Sequence, residues 1–223
     1  MSDGSPARDV VYGRRPVAEA QRGRRKVHRV LTSDDVGEAE LTRLAGSPDH
    51  QGIVAEVDPY PYADPTALMR DPDALVLALD QIQDPQNLGA ACRSAEAAGA
   101  SGVVIPERRA ASITAATCKA SAGAVEHLEV ARVRNLADWL AMAKDDGAWI
   151  YGADAEAPQP HTGIDFKGKV VLVMGSEGGG LRPRVAESCD ALVSIPIAGL
   201  VDSLNVSAAA AVLLFEAVRQ RQA

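Results

Sequence analysis

The chain has 223 residues, 47% hydrophobic and 24% charged, with a formal net charge of -7, a profile that excludes collagenous, disordered and membrane-embedded classes. The apolar runs "ALVLAL", "VVLVM" and "AAAAVLLF" are far shorter than the roughly 18 residues of a membrane helix, and "MSDGSPARDV" offers no apolar signal core, so a cytoplasmic protein is expected. Three cysteines without short spacing (Cys92, Cys118, Cys189) read as small core residues, and four scattered histidines argue against a metal site.

Residues 1 to 30 hold eight Lys/Arg against three acids, +5, which leaves -12 for the rest of the chain. This basic cluster is either a solvated surface or an electrostatic footprint for phosphate. "VDPYPYADPTALMRDPDA", with four prolines and several acids, reads as a linker, and the boundaries expected are a small unit at 1–58, a Pro-rich connection at 59–74 and a larger unit at 75–223. In the larger unit apolar runs alternate with helical stretches, from "ALVLALD" and "PQNLGAACRSAEAAG" through "SGVVIP", "LEVARV", "AWIYGA" and "VVLVMG" to a final helix. That βα repeat predicts an α/β fold with a parallel sheet covered by helices on both faces, and ligands beyond the carboxyl ends of the strands.

Three strand ends stand out. In "DQIQDPQNLGAACRSAEAAG", Asp84 suits an N-cap and Pro85 the first helical position. Asn87 and Arg93, six residues apart, are about 120° apart on a helix and share a site only if Asn87 lies in the entering loop. "VVLVMGSEGGGL" is a glycine-rich turn without GK[ST] or GxGxxG, and Glu177 at its centre suits a cofactor carrying positive charge better than a pyrophosphate. In "IPIAGLVDSLNVSAAAAVLLFEAV", Ser203, Asn205 and Ser207 open the last helix. Capping explains one such polar group and leaves the others facing a substrate hydroxyl, with Ile195 and Leu204 as apolar walls.

Together, "NLGAACRSAEAAG", "MGSEGGGL" and "IPIAGLVDSLNVS" resemble the three signature motifs of the SpoU (TrmH) family of RNA ribose 2'-O-methyltransferases, within the SPOUT superfamily, over about residues 75 to 221. "VYGRRPVAEA" and "HQGIVAEV" are similar to the edges of that family's ribosomal-protein-like RNA-binding domain, here shortened between Leu31 and His50. The resemblance implies a C-terminal trefoil knot, S-adenosylmethionine as cofactor and a homodimer without metal. It also implies catalytic or motif roles for Asn87, Arg93, Glu177, Ser203 and Asn205. Gly175, Ile195 and Leu204 would contact the cofactor, with Met174, Gly152, Pro196 and Ile197 beside them. A guanosine of 23S ribosomal RNA is the substrate implied, transfer RNA the alternative. Two other classes remain to be weighed: a nicotinamide-dependent oxidoreductase would need a dinucleotide fingerprint where this chain has "DPQNLG", and a silent ribosome-assembly factor should have lost the motif polar residues.

Overall fold

The computed structural model describes residues 8–176, 178–201 and 203–222. β1 (Asp9–Tyr12), α1 (Arg14–Arg22), β2 (Val27–Thr32), the short helices α2 (Ser33–Val36) and α3 (Glu38–Ala45), and β3 (Ile53–Val57) form an antiparallel sheet in the order β1-β3-β2. The two short helices occupy the stretch between Leu31 and His50. Leu41 of α3 packs with Tyr12, Leu31 and Val54 into a small core of its own.

The second sheet follows: β4 (Leu75–Leu79), α4 (Pro85–Ala97), β5 (Gly102–Pro106), α5 (Ala115–Ala120), β6 (Val130–Val133), α6 (Leu136–Asp145), β7 (Trp149–Ala153), β8 (Val170–Met174), α7 (Pro183–Glu187), β9 (Ala191–Val193) and α8 (Val206–Arg221). Its six strands are parallel in the order β6-β5-β4-β8-β7-β9. Alternate side chains of β4 serve different layers: Leu75, Leu77 and Leu79 pack with Leu88 of α4 and Leu213 and Leu214 of α8, whereas Val76 and Ala78 pack with Leu136 and Leu140 of α6. Burial on both faces is why "LVLAL" and "VVLVM" are apolar without alternation. Burial also pushes the Cys92, Cys118 and Cys189 thiols up to about 12, in keeping with their reading as core residues.

The proline-rich connection is tightly packed. The Tyr60 hydroxyl donates to the carbonyls of Val125 and Leu128, both at 2.9 Å, the Tyr62 hydroxyl accepts from the Ile113 N–H at 2.9 Å, and Ala63 pairs with Ala131 as an extra edge beside β6. The basic cluster of the first 30 residues also turns inward in part. Arg25, 6% exposed, forms a bidentate pair with the carboxylate of Glu126, which is 1% exposed, and Arg24 pairs with Glu129. Arg22 and Arg8 pair with Glu19 and Glu56. Four of the eight cations are therefore neutralised within the chain, two of them by fastening the small sheet to the segment after α5.

A buried carboxylate stripped of its partner retains its desolvation cost. Arg25→Ala is expected to destabilise the protein by about 3–5 kcal/mol, whereas Arg25→Met combined with Glu126→Met should recover most of that loss. Urea unfolding of the three proteins measures this; equal stabilities for the single and double variants would contradict it.

Candidate active site

The chain runs outward from β4 to β5 and β6, then returns to the opposite side of β8 to place β7 and β9. At the carboxyl ends of β7, β8 and β9, where such sheets bind ligands, lies a cleft of about 700 Å³. Met174 and Gly175 supply its floor after β8, Ile195 and Ile197 a wall after β9, and Ser203, Leu204 and Asn205 its lip at the start of α8. These seven residues were all singled out in the sequence. Gly152 and Pro196 do not line the cleft. Gly152 is still inside β7, where an added Cβ would lie 2.7 Å from Leu181 and 2.9 Å from the Cys189 sulfur, so its glycine serves packing beneath the site. Pro196 is exposed between two lining residues. Glu177 lies outside the described residues.

The glycine-rich turn is closed by reciprocal backbone hydrogen bonds: Ser176 N–H donates to Gly180 O at 3.0 Å and Gly180 N–H to Ser176 O at 2.9 Å. Gly178 and Gly180 have φ of 73° and 60°, in the left-handed region. A Cβ at Gly175 would fall 2.2 Å from the Gly180 carbonyl carbon, so backbone lies directly on backbone and no side chain fits. The turn is anchored by Asp80 at the end of β4. Its wholly buried carboxylate accepts from Arg182 N–H at 2.9 Å and Arg182 Nε at 2.8 Å, and pairs with Nη2 at 2.7 Å.

The polar opening of α8 is both a cap and a contact. Asn205 Oδ1 accepts from the backbone N–H of Ser207 at 2.9 Å and from its hydroxyl at 2.6 Å, while Asn205 Nδ2 donates to Asn87 Oδ1 at 2.9 Å. Asn87 was expected in the loop entering α4 if it was to share a site with Arg93. It lies instead in the first helical turn, because Asp84 is the N-cap, accepting from Gln86 N–H at 2.9 Å, and Pro85 begins the helix. Arg93 is consequently about 9 Å further along the axis and about 120° around it. It is exposed, has no ion-pair partner among the described residues and does not line the cleft. Asn87 and Asn205 are brought together and Arg93 is not.

Two carboxylates at the cleft went unnoticed in the sequence. Asp154 and Glu156 follow β7 and line the cavity, with Asp154 Oδ1 accepting from Glu156 N–H at 2.9 Å in a tight turn. "GADAEAP" carries no signal beyond two acids after a strand, and only the sheet order brings them opposite the glycine turn. Apolar walls, close backbone and two acids make a site for a flat, partly cationic ligand. Among the described residues no group of three His, Cys, Asp or Glu could hold a metal ion, and no helix is long and apolar enough to cross a membrane.

The comparisons agree with this geometry. The model of the SpoU rRNA Methylase family matches residues 74–215. The chain is 38% identical over 243 residues to YacO of Bacillus subtilis, assigned to the TrmH-family tRNA/rRNA methyltransferases, covering 97% of this chain and 98% of YacO. An AdoMet-bound rRNA methyltransferase from Sinorhizobium meliloti superposes with a TM-score of 0.83 at 27% identity, over 95% of this chain and 87% of that one. A TrmH/SpoU tRNA modifying enzyme from A. aeolicus reaches 0.61 at 27% identity, over 71% of this chain and 80% of its own. With a cleft beyond the carboxyl ends of a parallel sheet and a family match across that whole sheet, the chain belongs to the SpoU (TrmH) family of RNA methyltransferases, which have the SPOUT fold and use S-adenosylmethionine.

Proposed function

We propose that this chain transfers a methyl group from S-adenosylmethionine to the 2'-hydroxyl of a ribose, a guanosine in 23S ribosomal RNA, and that it works as a homodimer with a knotted cofactor-binding region. The observation that carries this reading is the Asn87–Asn205 hydrogen bond at the lip of the cleft, which sets polar groups beside an apolar cavity floored by glycine backbone. The cavity suits the cofactor: Leu204, Ile195 and Met174 offer apolar contact to an adenine, the backbone of Gly175 and of Gly178, Gly179 and Gly180 approaches without side chains, and Asp154 and Glu156 favour a cationic group.

When bound, S-adenosylmethionine supplies an electrophilic methyl group on a sulfonium that departs as a neutral thioether. The protein's task is then positioning. Asn205, held by Ser207 and Asn87, and Ser203 beside it orient the ribose hydroxyl toward the cavity. A guanidinium keeps its proton at neutral pH, so Arg93 acts through charge, binding the neighbouring phosphate and stabilising negative charge on the ribose oxygen. Because Arg93 lies away from its own cleft, it serves the partner's. Exposed apolar side chains support such pairing: Phe215 and Val212 stand on the outer side of α8 at 49% and 38% exposure, and Leu200 and Val201 project from the loop before it. The 1–58 unit contributes RNA binding. The near full-length likeness to a ribosomal-RNA enzyme, against a partial likeness to a transfer-RNA enzyme, supports the ribosomal substrate.

Arg93→Ala is expected to retain cofactor affinity by calorimetry and to lose at least about a hundredfold in methyl transfer, as for removal of a charge-stabilising donor. Gly175→Ala should lose cofactor binding because its Cβ meets the Gly180 backbone. Co-expressed in one cell, the two inactive chains should regain activity, since their heterodimer pairs an intact cleft with the partner's intact arginine; no recovery in a verified heterodimer would contradict the shared site. Initial rates on protein-free large-subunit RNA should exceed those on an unmodified transfer RNA pool, and a clear preference for transfer RNA would overturn the substrate assignment.

A further inference from the structure

Eight of the eighteen arginines of this acidic chain are engaged in ion pairs: Arg8, Arg22, Arg24, Arg25, Arg43, Arg182, Arg184 and Arg219. Unpaired arginines gather elsewhere. Besides Arg14, Arg15, Arg29, Arg70 and Arg93, three exposed ones, Arg108, Arg109 and Arg134, sit together at the carboxyl ends of β5 and β6, with no ion-pair partner among the described residues. The parallel register aligns Pro106 with Val133, and Glu107 N–H donates to Val133 O at 2.9 Å, so the residues that follow each strand are neighbours. A fourth arginine braces the cluster. Arg132 Nη2 donates to Glu107 O at 3.1 Å and its guanidinium stacks over Tyr62 at 5.1 Å from the ring centroid.

The arginine loop adjoins the connection into α4 on one side and leads into α5, beside the small unit, on the other. Ala111 N–H donates to Ile82 O at 2.8 Å, so the loop abuts the connection that leads through Asp84 to Asn87. Beyond the loop, α5 presents Lys119, whose ammonium donates to Asp49 O at 3.0 Å and lies over the Tyr12 ring at 5.8 Å. It also occupies the space over Gly13, the turn residue that precedes Arg14 and Arg15. Positive charge therefore runs from the start of α1 across α5 to the carboxyl ends of β5 and β6, on a chain whose net charge is -7. Glu107 is the one acid side chain exposed within the loop.

We infer that Arg108, Arg109 and Arg134 form a second phosphate-binding site, on the catalytic unit itself, that grips the RNA backbone between the small unit and the target ribose. The site rests on the reading of this protein as an RNA methyltransferase and adds to it which surface holds the substrate. Guanidinium groups without internal partners bind phosphate at little cost in broken contacts, and two separated grips fix the register of a folded RNA where one would let it pivot. The charges contact backbone, so they contribute affinity and salt dependence rather than base choice.

The test compares wild type with a triple variant, Arg108→Gln, Arg109→Asn and Arg134→Gln; asparagine suits the positive φ of 58° at position 109. Arg184→Gln, on α7 and paired with Asp138 of α6, is the control. Protein-free large-subunit ribosomal RNA is the probe. In the triple variant we expect KM for RNA to rise at least about tenfold, with the rate restored by more RNA. The slope of log affinity against log salt should fall by about 2, as three phosphate contacts at about 0.7 each require. Cofactor titration and thermal midpoint should match wild type, as should KM in the control. Unchanged KM and salt slope in the triple variant, with an RNA-active wild type, would overturn the second site alone. A wild type that methylates no RNA would overturn the functional reading and this site with it.

Discussion

The Asp80 carboxylate, fully buried at the carboxyl end of β4, is the contact on which the site depends. Burying an ionised group is tolerated only when its hydrogen bonds are met, and Asp80 has one arrangement that meets them: three N–H donors from Arg182. Its own N–H donates at 2.7 Å to the carbonyl of Met174. Met174 and Arg182 are the two ends of the glycine-rich turn. One aspartate thus clamps both ends of the cofactor cradle to β4, the strand whose exit leads to Asn87.

Within that clamp the turn has little freedom. Gly175 rests on Gly180 backbone, Ser176 and Gly180 bond reciprocally, and the neighbouring segments are laced in turn, with Pro160 bridging Ser194 and His161 N–H donating to Ser194 O at 2.9 Å. Methyl transfer draws much of its rate from holding two reactants in line, which a rigid cradle favours. The same economy governs the small sheet. Arg25 and Glu126 fasten it to the larger unit, and Tyr60 hydrogen bonds the connection to the same segment, so the small sheet is held in place beside the larger one.

Much of this was legible in the sequence because it is local. Doubly buried strands show as unbroken apolar runs at Leu75–Leu79 and Val170–Met174, and Asp84-Pro85 marks the start of α4. The glycine turn and the Asn205 cap are written in consecutive residues. What escaped depends on partners far apart in the chain: Asp80 and Arg182 are separated by 102 residues, Arg25 and Glu126 by 101, and Asp154 reaches the cleft only through the sheet order. The condition for Asn87 to share a site with Arg93, a place in the entering loop, is not met for a local reason. With Asp84 as cap, the helix already includes it, and its site partner is Asn205 on α8 rather than Arg93 on its own helix.

The central claim is chemical: the methyl group goes to a ribose oxygen. Large-subunit ribosomal RNA incubated with the protein and isotopically labelled S-adenosylmethionine, then digested to nucleosides and separated by mass spectrometry, reports the acceptor atom directly. The account predicts the label in 2'-O-methylguanosine, on the sugar fragment. Label on the base fragment would contradict it.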